Sequence, residues 1–406
     1  VAHTDDAPSA RTAVDVHAAR VLEAMRIDGI VGRTPQQLPL AEALGRVTLD
    51  DVVSPIDLPP FRNSQMDGYA VRSTDVASAP ISLPVVGEVA AAPGTPPPLT
   101  PGTAVKIMTG AAVPEGADAI IPVEDTLAAN DYVSISRGRA AGEYVREPGS
   151  DLRAGAVVVP TGTVLASRHL AALAAAGVTE VTVVDRIPVA VISTGSELVT
   201  PGATLESGQI YDSNGVALAA AVRAAGAEVV LEGRVRDETD ELVALFDAAI
   251  RLGAKLILTS GGISMGDHEV VRDLLEPRGA VIDVLAMQPG GPQALGDWDG
   301  VPVVCFPGNP VSSQLSFEIF VAPVLRQRAG LPPRVVETRV LDSAVRSIPG
   351  RRQFLRGRRV GRDGVTPVGG PSSHLVAALA ASDVLIVIPE DVTEVAAGDS
   401  VETWLL

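Results

Sequence analysis

Cysteine, lysine and aromatic side chains are all scarce in this 406-residue chain, and each shortage closes off a class of function. The one cysteine, Cys305, allows no internal disulfide and no Cys₂ or Cys₄ zinc site. It lies in the apolar run VPVVCFPG, where a packed thiol is expected rather than a nucleophile. Aromatic residues make up 3% of the chain, which removes the stacking platforms that single-strand nucleic-acid binders use. Lys106 and Lys255 are the only lysines, and 32 basic residues stand against 49 acidic ones, a formal net charge of −17. Little here would neutralise a phosphate backbone, so nucleic acid is not an expected partner. A small anion can still bind where backbone amides, a few arginines or a bound cation compensate locally. No apolar run approaches the roughly 18 residues of a membrane helix, and no membrane partner is expected. The stretch VAHTDDAPSARTAVDVHAAR is acidic and polar where a signal peptide would be basic and then apolar, so the expected location is cytoplasmic. The five histidines show no metal spacing, and there is neither a P-loop lysine nor a defensible Ser/His/Asp order.

What is present is a folded protein's composition, 46% hydrophobic and 20% charged, at a length that implies about three domains. From Pro188 onward the apolar runs PVAVIST, AEVVLEGRV, KLILTSG, VIDVLAM and VPVVCFPG alternate with alanine-rich or acidic helical stretches. That alternation predicts an α/β domain over 178–329, a doubly wound and mostly parallel sheet, joined by an N-terminal helix at 11–29. Residues 51–141 read as an inserted β-rich module, broken by Pro and Gly. The flanking pieces 30–50 and 142–177 are expected to come together as the stalk that carries it. After Gly330 the runs RVVETRV, RRQFLRG, DVLIVIPE and SVETWLL predict a C-terminal β-domain over 330–406, barrel-like in character.

Parallel sheets bind ligands at the carboxyl ends of their strands, and three loops at that predicted edge carry unusual chemistry. In KLILTSGGISMGDHE, Ser260 lies in the loop TSGGISMGDHE that follows the apolar run, and Gly261 and Gly262 let backbone N–H groups approach a ligand. Ser264 and Gly266 follow, then Asp267 and Glu269, which offer hard oxygens of the kind Mg²⁺ prefers. An ordinary strand-to-helix turn with a solvated acidic cap is the competing reading. In ISTGSEL the strand ends on Thr194, Gly195 opens the turn, and Glu197 sits where a second carboxylate could face Asp267 across adjacent loops. Simple capping of the next turn explains Glu197 equally well. In FPGNPVSS, Pro307 and Pro310 fix φ, Gly308 and Asn309 make the turn, and Ser312 is expected to begin a helix whose amides point back to the sheet edge. GQIYDSNGVAL starts another helix with Asp212, Ser213 and Asn214 all competent as caps. In the first half, Asp67 of NSQMDGYAV is a lone carboxylate that local rules read as a turn cap, and Thr109 of IMTGAAVPEGADAIIPVE either caps a turn or offers a hydroxyl and a free N–H to an oxyanion.

Taken together, these motifs resemble the MoeA family of molybdopterin molybdenumtransferases, whose eukaryotic counterpart is the gephyrin E domain. NSQMDGYAV, IMTGAAVPEGADAIIPVE, GEYVREPGSDLRAG, STGSEL, GQIYDSNG, TSGGISMGDHE, FPGNPVSS and GRRQFLRG fall in family order over nearly the whole chain. The resemblance implies an enzyme that takes adenylylated molybdopterin and molybdate, and leaves molybdenum on the dithiolene with Mg²⁺-dependent release of AMP. It matches Asp67 and Thr109 to the family's lid positions, Glu197, Asp237 and Asp267 to its acidic ones, with Glu197 and Asp267 holding the metal. Pro307 and Pro310 match its rigid phosphate-side loop, and Arg351 and Ser373 its outer positions. It also implies an elongated homodimer, the lid of one protomer over the cleft of the other, with a molybdopterin adenylyltransferase and apo-molybdoenzymes as further partners. One departure stands out. Where many relatives read KPGKP, this chain has MQPGGPQALG, with Gln288 and Gly291 in place of lysines. The competing functions are molybdopterin adenylylation on the same α/β domain, and a non-catalytic scaffold that has kept the fold.

Overall fold

The computed structural model describes residues 11–25, 33–263 and 269–406. The chain splits into two compact units, 36–183 and a second made of 1–35 with 184–406. No helix among the described residues is long and apolar enough to cross a membrane.

In unit 36–183, short strands alternate with Pro- and Gly-rich turns. β1 (Gly68–Val71), β2 (Ile81–Val89), β3 (Ala104–Ile107), β4 (Ala119–Pro122), β5 (Thr126–Ala129) and β6 (Tyr132–Ile135) make one mixed sheet in the order β4-β1-β3-β2-β6-β5. One set of side chains, among them Tyr69, Val71, Leu83 and Ile121, is buried in one cluster, and Ala70, Val105, Ile107 and Ile120 in another. The segments on either side of this sheet pair with each other, Val52–Val53 running antiparallel to Val157–Val159. A separate core of Leu38, Ala43, Val159, Leu165, Leu173, Val181 and Val183 lies under them.

The other unit holds a six-stranded sheet. Its strands are β7 (Pro188–Thr194), β8 (Glu228–Val235), β9 (Leu256–Ser260), β10 (Val281–Val284), β11 (Pro292–Trp298) and β12 (Val301–Phe306), in the order β8-β7-β9-β12-β11-β10. The first four in that order are parallel; β11 runs against them, and β10, at the far edge, pairs antiparallel with β11 and so points the same way as the four. The run VIDVLAM, read from sequence as one more parallel strand, does point that way, but the antiparallel β11 stands between it and β12. The reason is local: Asp299–Gly300 turn the chain straight back from β11 into β12, with Gly300 N–H bonded to Asp297, so no crossover helix separates them.

Period-2 alternation divides the parallel strands between two cores. Val189, Val191, Leu256, Leu258, Val304 and Phe306 face one core, shared with α1 (Val14–Ala24), α2 (Ser213–Ala224), α5 (Pro310–Ser316) and α6 (Ala322–Ala329). Ala190, Ile192, Ile257, Val303 and Cys305 face the other, with α3 (Thr239–Arg251) and α4 (Val270–Leu275). In α3 the buried residues Leu242, Phe246 and Ala249 follow a helical repeat, so one stripe meets the sheet. Cys305 is wholly buried, and burial pushes its thiol up to about 12. The native protein should therefore be inert to Ellman's reagent at pH 8 and yield one thiol per chain in denaturant. Rapid native labelling would contradict this packing.

After α6 the chain closes a five-stranded barrel. β13 (Val336–Leu341), β14 (Arg352–Val360), β15 (Gly364–Pro367), β16 (Val384–Ile388) and β17 (Ser400–Leu405) pair in the order β14-β15-β13-β17-β16, and β16 returns to β14. The four runs singled out in the C-terminal sequence are four of these strands. Leu341, Leu355, Val365, Val384, Ile386 and Ile388 fill it.

Candidate active site

β7, β9 and β12 end at one edge of the sheet, and the three loops that leave them meet there. Two of the loops are tied to a neighbouring strand end: Gly195 N–H donates to the Val235 carbonyl at 3.1 Å, and Gly261 N–H to the Phe306 carbonyl at 3.0 Å. The loops then pack backbone against backbone. A Cβ on Gly261, where φ is +91°, would lie 2.5 Å from the Thr194 carbonyl oxygen, and one on Gly308 would lie 3.4 Å from Gly261 Cα. Only glycine at 261 permits this approach.

Around this junction lies a cavity of about 1090 Å³. From the first loop it is lined by Thr194, Gly195 and Glu197; from the second by Gly261, Gly262 and Glu269; from the third by Pro307, Gly308, Asn309, Pro310 and Ser312. Asp237, after β8, and Asn214, on the first turn of α2, complete that side. Arg351, Ser373 and His374 enter from the barrel domain's loops, and Arg11 with the turn Gln288–Gly291 forms the remaining wall.

Local rules explain much of this. Asp212 is the cap of α2, its carboxylate accepting from Gly215 N–H at 2.9 Å, and Asn214 Nδ2 donates to the Gly308 carbonyl at 2.8 Å. Asn214 Oδ1 is buried with no partner among the described residues, an acceptor left for a donor in the cavity. α5 starts at Pro310 and not at Ser312, because proline suits the first helical position, where its missing N–H costs nothing. Val311 N–H then donates to the Ser373 carbonyl at 3.0 Å, joining that loop to the helix start. Asp237 Oδ2 accepts from Ser196 N–H at 3.0 Å and Ser196 Oγ at 2.9 Å, and so holds the loop that carries Glu197.

Three of the expected site residues serve the fold instead of the cavity wall. Asp212 and Ser213 are the cap and first residue of α2, and Ser260 is buried with its hydroxyl on Ser193 Oγ at 3.4 Å. Ser264, Gly266 and Asp267 lie outside the described residues. Asp67 and Thr109 belong to unit 36–183 and come together there: Asp67 Oδ1 accepts from Thr109 N–H at 2.7 Å and from Thr109 Oγ1 at 2.9 Å. These two donors, the backbone one first, hold the Asp67 carboxyl below the ordinary carboxylate range.

Comparison with known sequences supplies the family. Three family models match in succession: "MoeA N-terminal region (domain I and II)" over residues 12–177, "Probable molybdopterin binding domain" over 190–327, and "MoeA C-terminal region (domain IV)" over 338–406. The Molybdopterin molybdenumtransferase 2 of Mycobacterium tuberculosis is 44% identical over 405 residues, 96% of this chain and 98% of that protein. The chain belongs to the MoeA family.

Molybdopterin molybdenumtransferase 1 of the same organism is 35% identical, covering 93% of this chain and 96% of its own length. Among solved structures, a molybdopterin biosynthesis moeA protein from Pyrococcus horikosii matches with a TM-score of 0.74 and 34% identity, covering 96% of this chain and 98% of that one. The mixed sheets and closed barrel described above are thus a MoeA-like fold. Within this MoeA-family chain, sequence reasoning missed Arg11, which reaches the cavity only because Thr12 bridges to Leu285. A bridge between residues so far apart leaves no local pattern to find. Arg351 and Ser373, matched only at the family's outer positions, stand on the same cavity as Glu197 and Pro307.

Proposed function

We propose that this chain inserts molybdate into adenylylated molybdopterin and releases AMP in an Mg²⁺-dependent reaction. Its place in molybdenum cofactor biosynthesis, and its class as a transferase, rest on the family and on relatives named molybdopterin molybdenumtransferase. The observation that carries the finer reading is the single cavity where Glu197, Asp237 and Glu269 stand beside the glycine-rich loop and the stiff Pro307–Pro310 turn. Its size suits a pterin with a nucleotide tail.

The donor set fits a hard divalent cation. No group of three or more His, Cys, Asp or Glu side chains among the described residues makes a cage. Mg²⁺ does not need one, since it commonly sits on one or two carboxylates plus substrate phosphates and water. Glu197 would be one such ligand and Asp267 another. Bound there, the cation would neutralise charge on the bridging phosphate oxygens. The protein's own part is to present amides of the 261–262 loop to anionic oxygens, to orient the tail along the rigid turn, and to exclude water from the reacting phosphate. Asp67, kept ionised by Thr109, would orient the attacking oxygen. We include in this proposal a cytoplasmic homodimer, in which 51–141 acts as a lid on 30–50 and 142–177 and Asp67 and Thr109 serve the partner's cleft. An adenylyltransferase would need only the domain matched over 190–327, whereas this chain matches all three MoeA regions.

The test is direct. Purified protein with adenylylated molybdopterin and Mg²⁺ should release AMP when molybdate is added and far less without it. Release indifferent to molybdate would refute insertion.

A further inference from the structure

An acidic cavity for an anionic substrate raises a question of charge. Among the described residues lining it, three carboxylates (Glu197, Asp237, Glu269) face two guanidiniums, Arg11 and Arg351. The wall between those arginines is the turn Gln288–Gly291, which carries no charge of its own. Gln288 is already engaged, its Oε1 accepting from Gln353 Nε2 at 3.1 Å.

Arg11 sits where a side chain at 291 would be. Its Nη1 lies 3.8 Å from the point a Cβ on Gly291 would occupy, and donates to the Leu285 carbonyl at a long 3.4 Å. The position is built, not accidental. Thr12 N–H donates to the Val284 carbonyl at 3.1 Å and Ala286 N–H to the Thr12 carbonyl at 2.8 Å, while Thr12 Oγ1 reaches Asp283 at 2.8 Å. Arg20 closes on the same carboxylate at 2.6 Å. On the other side of this segment, Arg352 N–H donates to the Ala286 carbonyl at 2.9 Å, and its guanidinium is fixed by Asp15 at 2.7 and 3.0 Å and by Glu390 at 3.2 Å. Both pairings are parallel, Thr12 with Leu285 and Arg352 with Met287. The residue before each anchored one, Arg11 and Arg351, therefore approaches the cavity from the same end. Among the described residues no carboxylate lies within ion-pair distance of Arg11, so its charge is not spent inside the protein.

We propose that Arg11 is an oxyanion-binding residue, which with Arg351 makes a subsite at the Gln288–Gly291 turn for a tetrahedral oxyanion. Resting on the function proposed above, this oxyanion is molybdate or the phosphate of the pterin's tail. Arg11 supplies from the N-terminal segment the cation that the turn lacks.

Calorimetric titration of the full-length protein with molybdate, and separately with AMP, tests the subsite without turnover. Arg11→Gln should weaken binding of one of these probes about tenfold, the loss of one charged hydrogen bond. Arg11→Lys should recover part of it. So should Gly291→Lys in the Arg11→Gln background, where a Cβ meets only ordinary contacts at 3.7 Å and beyond. A shift confined to molybdate identifies molybdate as the occupant, and one confined to AMP identifies the phosphate. In turnover the same substitution should raise KM for that ligand more than it lowers kcat. Unchanged affinities in Arg11→Gln, or a loss that neither lysine variant restores and that comes with a lower melting temperature, would overturn the proposal. The outcome is separable from the activity itself: wild-type protein that releases AMP normally with Arg11→Gln unaffected refutes only the subsite. Arg11-dependent binding without AMP release refutes only the reaction.

Discussion

Glu197→Gln should lower the rate of molybdate-dependent AMP release about a hundredfold, the scale on which one electrostatic partner of a reacting oxyanion counts, with an almost unchanged melting temperature. The substitution keeps the side chain's size and removes its charge. Glu197 is exposed on the cavity rim at the carboxyl end of β7, and what it gives the fold is its main chain: its carbonyl accepts from Ile210 N–H at 2.9 Å. That bond survives the change. Its loop is anchored separately, through Ser196 on Asp237, so the geometry around residue 197 should persist. A chromatographic assay for AMP, paired with scanning calorimetry, checks both halves. Activity within threefold of wild type would remove Glu197 from the chemistry and leave it a turn residue.

Gly261→Ala should do the opposite, damaging the fold first and activity with it. The new methyl would stand 2.5 Å from the Thr194 carbonyl oxygen and 2.8 Å from Thr194 Oγ1, on a backbone with φ of +91°. The carbonyl belongs to the end of β7 and cannot swing aside as a surface side chain would. Steric conflict with main chain and left-handed strain together should cost about 3 kcal/mol or more, a drop in melting temperature of roughly 6–12 °C for a unit of this size. AMP release should fall below detection even at temperatures where the protein stays folded, because the amides after Ser260 can no longer hold their direction. A variant that melts and turns over like wild type would show that the three loops do not meet as described.

How much of this was legible beforehand depended on the range of the interactions. The apolar runs that became β7, β9 and β12 are buried almost throughout, and such runs announce themselves in composition. Stiff or glycine-rich loops at their ends were visible for the same reason, since Pro307, Pro310 and Gly261 act on their own backbone. Capping residues were visible but ambiguous: Asp212, Ser213 and Asn214 looked alike, and only the fold shows Asp212 capping the helix while Asn214 faces the cavity. Ser260 looked like a loop residue and is a buried strand end, because β9 is paired on both sides by β7 and β12. What could not be read was anything set by distant pairing. Thr12 and Asp283, 271 residues apart, bring Arg11 to the cavity, and the antiparallel course of β11 depends on a two-residue turn between β11 and β12. The replacement of lysines by Gln288 and Gly291 was plain in the sequence, but the nearby guanidinium was not.

The central claim is that acids, amides and stiff turns at one sheet edge exchange a pterin's nucleotide for molybdenum. It is tested most directly by isolating the pterin after reaction with molybdate and Mg²⁺, and measuring its molybdenum by plasma mass spectrometry against AMP released. Equal amounts of molybdenum and AMP, both lost together in Glu197→Gln, are the predicted result. AMP released from a pterin that carries no molybdenum would contradict it.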